Sequence, residues 1–155
     1  MEINYIKGDA TKPQVEGNKI LVHVCNNIGG WGKGFVMAIS KRWKEPERQY
    51  REWFRSQKDF VLGKVQFVEV EHSFWIANLI GQHKINKDEL GNSPIRYEAV
   101  QSGLYKVAQF AFEKKATVHM PRIGCGLAGG SWDRIEPLIK ESLSDKGISV
   151  TVYDF

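Results

Sequence analysis

The stretch Met120–Leu143, MPRIGCGLAGGSWDRIEPLIKESL, decides how the chain is read. It leaves a short β-forming run, TVHM (117–120), and enters a pattern in which Trp132, Ile135, Ile139 and Leu143 recur at helical spacing behind Ser131, a predicted N-cap. Between strand and helix stand Gly124, Gly126, Gly129 and Gly130. Glycine loses more backbone freedom on folding than any other residue, so such crowding predicts a use. A loop of bare N–H groups running into a helix N-terminus suits an anion. Gly124, Gly126 and Gly129 also spell G-x-G-x-x-G. A dinucleotide fold, however, needs further strands and an acidic residue for the ribose, and only one strand and Asp154 follow. No G-K-[ST] is present, which removes a Walker loop.

The same grammar occurs earlier. KILVHVC (19–25) reads as a strand buried on both faces, and NNIGGWGKG follows, with Gly29, Gly30, Gly32 and Gly34 ahead of a helix carrying Phe35, Ile39 and Trp43. INYIKG is a first strand, and a second helix is predicted over 47–57. KVQFVEV (64–70) alternates with period 2, FWIANLI (74–80) is more continuously apolar, and GQHKINKDELGNSP is a loop. A long helix from Ile95 shows Tyr97, Val100, Leu104, Val107 and Ala111 on one face, and ISVTVYDF closes as a strand. Helices and strands alternate around a central β-β pair. The expectation is an α/β protein, a three-layer α/β/α domain with a mixed central sheet, spanning 1–155 as one domain. Both glycine loops then lie at the carboxyl edge of the sheet, where two facing phosphate cradles suit a diphosphate.

Together KGDATKP, VHVCNNIGGWGKGFVMAI, MPRIGCGLAGGSW and VTVYDF resemble the macrodomain family, in the family's order and over essentially the whole chain. The CNNIGGWGKG loop is most similar to the ADP-ribose-1''-phosphate phosphatase branch. The resemblance implies that ADP-ribose lies across the two loops. It assigns Asp9 and the adjoining Ala10 to the adenine, and Asn27 to the distal ribose. Gly30, Trp31, Gly32 and Gly34 of the early loop and Ile123, Gly124, Cys125, Gly126, Leu127 and Ala128 of the late loop would surround the diphosphate and distal ribose. Tyr153 or Phe155 would cover the adenosine. Read from the residues alone, Asp9 could equally cap a turn before Pro13.

The chemistry is less legible. Where de-ADP-ribosylating branches carry a first-loop aspartate, a lysine after the fourth strand or a second-loop aspartate, this chain has Val36, Gln82 and Ala128, with Lys84 close by. The remaining candidates for acid–base work are His83, Asn27 and His23. The expected activity is hydrolysis of ADP-ribose 1''-phosphate. The alternatives are a non-catalytic ADP-ribose reader and a de-ADP-ribosylating hydrolase. Cys25 and Cys125 lack the arginine six residues on that a cysteine phosphatase needs, and read as small buried residues. His23, His72, His83 and His119 have no ligand-like spacing, so neither metal nor cofactor is expected.

A nucleic-acid reading rests on KRWKEPERQYREWFRSQK (41–58), where cations interleave with Trp43, Tyr50, Trp53 and Phe54. The same residues also read as an outer helix with its aromatics turned to the core. A net charge of +4 favours anionic partners without demanding nucleic acid. No apolar run approaches the roughly 20 residues of a bilayer span. With two cysteines and no signal-like opening, the expectation is a cytoplasmic monomer whose ligand is ADP-ribose or an ADP-ribosyl derivative, an ADP-ribosylated macromolecule being a further partner.

Overall fold

A computed structural model describes residues 1–155. The strands are β1 (Asn4–Lys7), β2 (Lys19–Asn26), β3 (Val65–Glu71), β4 (Phe74–Gln82), β5 (Thr117–Met120) and β6 (Val150–Asp154). The helices are α1 (Phe35–Arg42), α2 (Glu45–Ser56), α3 (Tyr97–Lys114) and α4 (Trp132–Ser142), with a 3₁₀ turn at Ser144–Lys146. One six-stranded sheet has the order β1-β6-β5-β2-β4-β3. All its pairings are parallel except β3 with β4.

The alternation of side chains along β2 builds the layers. Ile20 and Val22 face one core, shared with Val100, Leu104 and Val107 of α3 and Ile135 and Ile139 of α4. Leu21 and Cys25 face the other, shared with Ile39 of α1 and Tyr50 of α2. A central strand covered on both faces must be apolar almost throughout, as this one is. The mixed α/β/α sandwich expected from the sequence is therefore present.

Element boundaries shift for local reasons. Helix α2 begins at Glu45, two residues before the predicted start, because Pro46 fits the first helical turn and Glu45 and Glu47 favour the positive end of the dipole. Helix α3 begins at Tyr97 rather than Ile95. The Ile95 N–H is bound to the Ala128 carbonyl and the Arg96 N–H to the Gly81 carbonyl, so both residues stay extended. Ser131 holds the N-cap position of α4, yet its side chain makes no capping bond.

Strand order places the ligand edge. After β2 the chain moves towards β4 and β3, whereas after β5 it moves the other way, to β6. Neighbouring parallel strands whose connections diverge leave a crevice at their carboxyl ends. The loops after β2 and β5 are the two glycine loops.

Helix α3 sits unusually close to the sheet at Gly103, where a Cβ would lie 2.3 Å from the Cγ of fully buried Leu79. Gly103→Ala should therefore destabilise the fold by about 1–3 kcal/mol despite alanine's better helix propensity, since Leu79 has nowhere to go. Urea unfolding of the variant measures this, and a stabilised Gly103→Ala would show that the contact relaxes freely.

Candidate functional site

The crevice holds a cleft of two lobes that share Phe35 and Pro121. The inner lobe, about 380 Å³, lies between the glycine loops. The outer lobe, about 650 Å³, lies over the ends of β1 and β6. Both volumes suit a small-molecule site.

The late loop gives its glycines different tasks. Gly130 donates to the Gly124 carbonyl at 2.7 Å, and a Cβ on Gly130 would sit 2.4 Å from that oxygen. Gly124 itself has φ +74. These two close the loop. Gly126 differs: its φ is not positive, and a Cβ there would meet nothing within 4 Å. The backbone N–H groups of Ile123, Gly124, Gly126, Leu127 and Ala128 have no acceptor in the chain, and all five residues line the inner lobe. Leu127 reaches across the cleft, so that its Cδ1 would stand 3.4 Å from a Cβ on Gly34.

The early loop divides at Trp31. Its first half is tied down by Asn26, which the sequence reading missed. The Asn26 Oδ1 accepts from the N–H groups of Ile28 (3.0 Å) and Gly30 (2.9 Å), and its Nδ2 donates to the Gly30 carbonyl at 2.9 Å. Trp31, expected at the ligand, is buried in the α1/α2 core, and its indole N–H donates to Ser40 Oγ at 2.7 Å. Gly30, Trp31 and Gly32 line neither lobe; Lys33, Gly34, Phe35 and Val36 line the inner one. The N–H groups of Phe35 and Val36, in the first turn of α1, also lack acceptors. Residues carrying two sets of free donors thus line one space, with Lys33 adding positive charge and Arg122 paired with Asp154.

The outer lobe contains Asp9, Ala10, Tyr153 and Phe155, as expected, together with Thr11, Lys41 and Arg42. Asp9 does cap its turn: Oδ1 accepts from the Thr11 N–H at 2.9 Å and the Thr11 hydroxyl at 2.7 Å. Its other oxygen has no partner in the chain and remains available to a donor. Burial opposes the charge on Asp9, but the Thr11 bonds, with Lys12 and Arg42, hold its pKa below the ordinary value. Tyr153 is braced from behind, its hydroxyl 2.7 Å from His119 Nδ1, while His119 Nε2 lies 2.8 Å from Thr117 Oγ1. Phe155 is almost fully exposed.

The acid–base candidates separate. His23 lines the inner lobe, with Nε2 2.5 Å from Asn78 Oδ1. Asn78 spends its amide protons on Pro46 O and Gln66 Oε1, so its oxygen must receive a proton from His23 Nε2. The lone pair is therefore on Nδ1. Burial holds the His23 pKa down to about 4, against the Asn78 bond, and the ring is neutral. Asn27 and His83 pair with each other instead: Asn27 Nδ2 lies 3.0 Å from His83 Nδ1, and Asn27 Oδ1 accepts from the Lys84 N–H at 2.8 Å. Neither residue lines the cleft, whereas Gln82 does. Cys125 is partly exposed but outside both lobes, and burial raises its pKa. Cys25 is fully buried, as the sequence suggested, and its thiol is pushed well above the ordinary range by burial.

The basic stretch 41–58 folds as an outer helical layer. Arg48 pairs with Glu45 and Glu52, Arg51 with Glu47, and Tyr50, Trp53 and Phe54 pack on Phe60. Cations matched to acids and aromatics turned inward leave little of the stacking platform that single strands require.

No family model matches the chain. Among solved structures it is similar to a macrodomain protein from Streptomyces coelicolor, at 55% identity over 99% of both chains with a TM-score of 0.88. Among curated proteins it is 35% and 34% identical to chromodomain-helicase-DNA-binding protein 1-like of Danio rerio and Mus musculus, over 97% and 99% of this chain. The chain spans only 15% and 18% of those two proteins' length. It is also 25% identical to an ADP-ribose 1''-phosphate phosphatase of Saccharomyces cerevisiae, over 97% of each.

The buried histidines predict an acid response. His119, like His23, is held down to about 4, by burial and then by Lys19. Between pH 6.5 and 4 the unfolded chain binds protons at these sites that the folded one does not, so stability is full above pH 6.5 and falls as pH drops through this window. Asp9 and Asp154, whose folded pKa values are lowered, add further loss only below about pH 4. His23→Leu should flatten the fall in stability between pH 7 and 4.5 by about 2 kcal/mol, measured by urea unfolding at both pH values. An unchanged slope would mean that His23 titrates normally.

Proposed function

The chain belongs to the macrodomain family, and from that premise we propose that its two-lobed cleft binds ADP-ribose and that the inner lobe is where a derivative is turned over. One observation carries the binding reading: backbone donors from two separate loops, unsatisfied within the chain, face each other across a single cleft. A diphosphate satisfies both sets at once, with the α1 dipole favouring its charge. The free Asp9 oxygen would accept from the adenine amino group, with Tyr153 and Phe155 beside the adenosine. The distal ribose then enters the inner lobe, towards His23, Gln82 and Ala128.

The finer reading is hydrolysis of ADP-ribose 1''-phosphate. It draws on the early-loop resemblance and on the yeast relative of that name. In this lobe the Nδ1 lone pair of neutral His23 would orient a water. Lys33 and the first turn of α1 would offset charge on the departing phosphate. No carboxylate lines the lobe, so turnover should be slow. A second reading, binding without turnover, is favoured by one observation: Asn27 and His83 are engaged with each other outside the cleft.

Gly126→Glu tests the binding reading. With open space at Cβ and no positive φ, the variant should melt near wild type, while an anion beside the free N–H groups lowers ADP-ribose affinity at least about tenfold, or 1.4 kcal/mol. Calorimetry showing normal binding by a folded variant would remove the diphosphate from this loop, as would equal wild-type affinity for ADP-ribose and AMP. Asp9→Asn keeps an oxygen for Thr11 but presents an amide to the adenine amino group, and should cost about 1–3 kcal/mol of ADP-ribose affinity with little change in melting.

Phosphate release from ADP-ribose 1''-phosphate separates enzyme from reader. We expect slow release, faster than action on ADP-ribosylated aspartate or glutamate. His23→Gln should lower the rate about tenfold or more, and His83→Ala should lower it less. A reversed order of His23 and His83 would place the chemistry at the Asn27–His83 pair. No release above background would leave the reader.

A further inference from the structure

We infer that the protein carries a second anion pocket, on the far side of the late glycine loop from the cleft, and that it takes a phosphate group. A cavity of about 480 Å³ opens there, walled by Ser93, Arg96, Tyr97, Gly129 and Arg134. The two spaces are divided by the loop alone: Ala128 lines the cleft and Gly129 lines this cavity.

Its two guanidinium groups are placed before any ligand arrives. Arg134 lies over the Tyr97 ring, 3.8 Å from its centre, and Tyr97 is in turn fixed by accepting the Ser131 N–H at 2.9 Å. The Arg134 guanidinium makes no hydrogen bond or ion pair in the chain, so its donors are free, and only the residue's backbone N–H is engaged, with the Ser131 carbonyl. Arg96 is anchored through Nη1 alone, which donates to the carbonyls of Ser93 (2.6 Å), Pro94 (3.2 Å) and Ile95 (3.0 Å), leaving Nε and Nη2 available. Elsewhere Arg42, Arg48, Arg51 and Arg122 each pair with a carboxylate. No carboxylate lines this cavity. Asp88, whose charge interacts with Arg96, is occupied by the N–H groups of Leu90 and Asn92 and by the Asn92 amide.

Two unpaired guanidiniums line this one cavity, and each offers the planar fork of donors that suits a phosphate. Pre-ordering removes much of the entropy cost of fixing long side chains on binding. The pocket lies across the late loop from the cleft and does not depend on what the cleft binds.

The test is a nitrogen-15 NMR titration with inorganic phosphate, run with and without saturating ADP-ribose. Saturable movement of the Ser93 and Gly129 amides and of the Arg96 and Arg134 side-chain N–H signals is expected in both conditions. If ADP-ribose itself fails to bind, the run without it still reads this pocket. Arg134→Met, which takes from the fold only the guanidinium's contact with the Tyr97 ring, should weaken phosphate about tenfold while ADP-ribose affinity moves less than about twofold. Thymidine dinucleotides with and without a 5′-phosphate then identify the source: preference for the phosphorylated form marks a phosphomonoester, and equal binding marks a phosphodiester. The proposal is overturned if phosphate moves only cleft amides such as Gly126 and Leu127, if no probe saturates, or if Arg134→Met leaves the Gly129 response unchanged.

Discussion

The structure depends on the parallel pairing of β2 with β5, Lys19 against Thr117 through Leu21 against His119. Two strands that lie side by side, point the same way and send the chain off in opposite directions cannot cover their own carboxyl ends. That uncovered edge is where both glycine loops meet. The parallel neighbours deliver the rest of the site to the same edge: the loop after β1 brings Asp9, and the end of β6 brings Tyr153 and Phe155.

Given that edge, the loops solve opposite problems. Backbone N–H groups left unpaired in a protein normally find a partner, and most do so here. In the late loop the Gly130-to-Gly124 bond closes the turn, and five residues lining the cleft keep N–H groups without an acceptor in the chain. In the early loop the Asn26 side chain takes up the Ile28 and Gly30 donors, and the N–H groups of Phe35 and Val36 at the start of α1 stay open.

The floor follows the same logic. His23 is clamped through Asn78 to Gln66, and Tyr153 through His119 to Thr117, each chain crossing strands beneath a lobe. Burial keeps both imidazoles neutral, so neither adds charge beneath the cleft. The positive character of the cleft comes instead from Lys33 and Lys41 at its walls and from the α1 N-terminus, since Arg42 and Arg122 are paired with Glu71 and Asp154. Backbone donors and lysines around a neutral floor suit a ligand that carries its own charge in the middle.

By itself the sequence determined the layers and the two glycine loops that border the cleft. Period-2 and period-3.6 apolar patterns impose burial whatever the neighbours are, and strand–glycine–helix junctions mark loops with spare backbone donors. That is how Gly34 and Gly126, which line the cleft, could be picked out, whereas Asp9 and Tyr153 followed only from the family resemblance. Only tertiary structure decided which members of each motif face the ligand. Trp31 looks like a loop aromatic in sequence, yet packing under the loop turns it into the core, and Asn26 looks like an unremarkable strand end until its side chain is seen to bind the loop. Asn27 and His83, 56 positions apart, find each other because parallel β2 and β4 end together. The direction of a side chain at a strand end depends on the neighbouring strand's register and on a bulge at Cys25/Asn26, and neither is written in the local sequence.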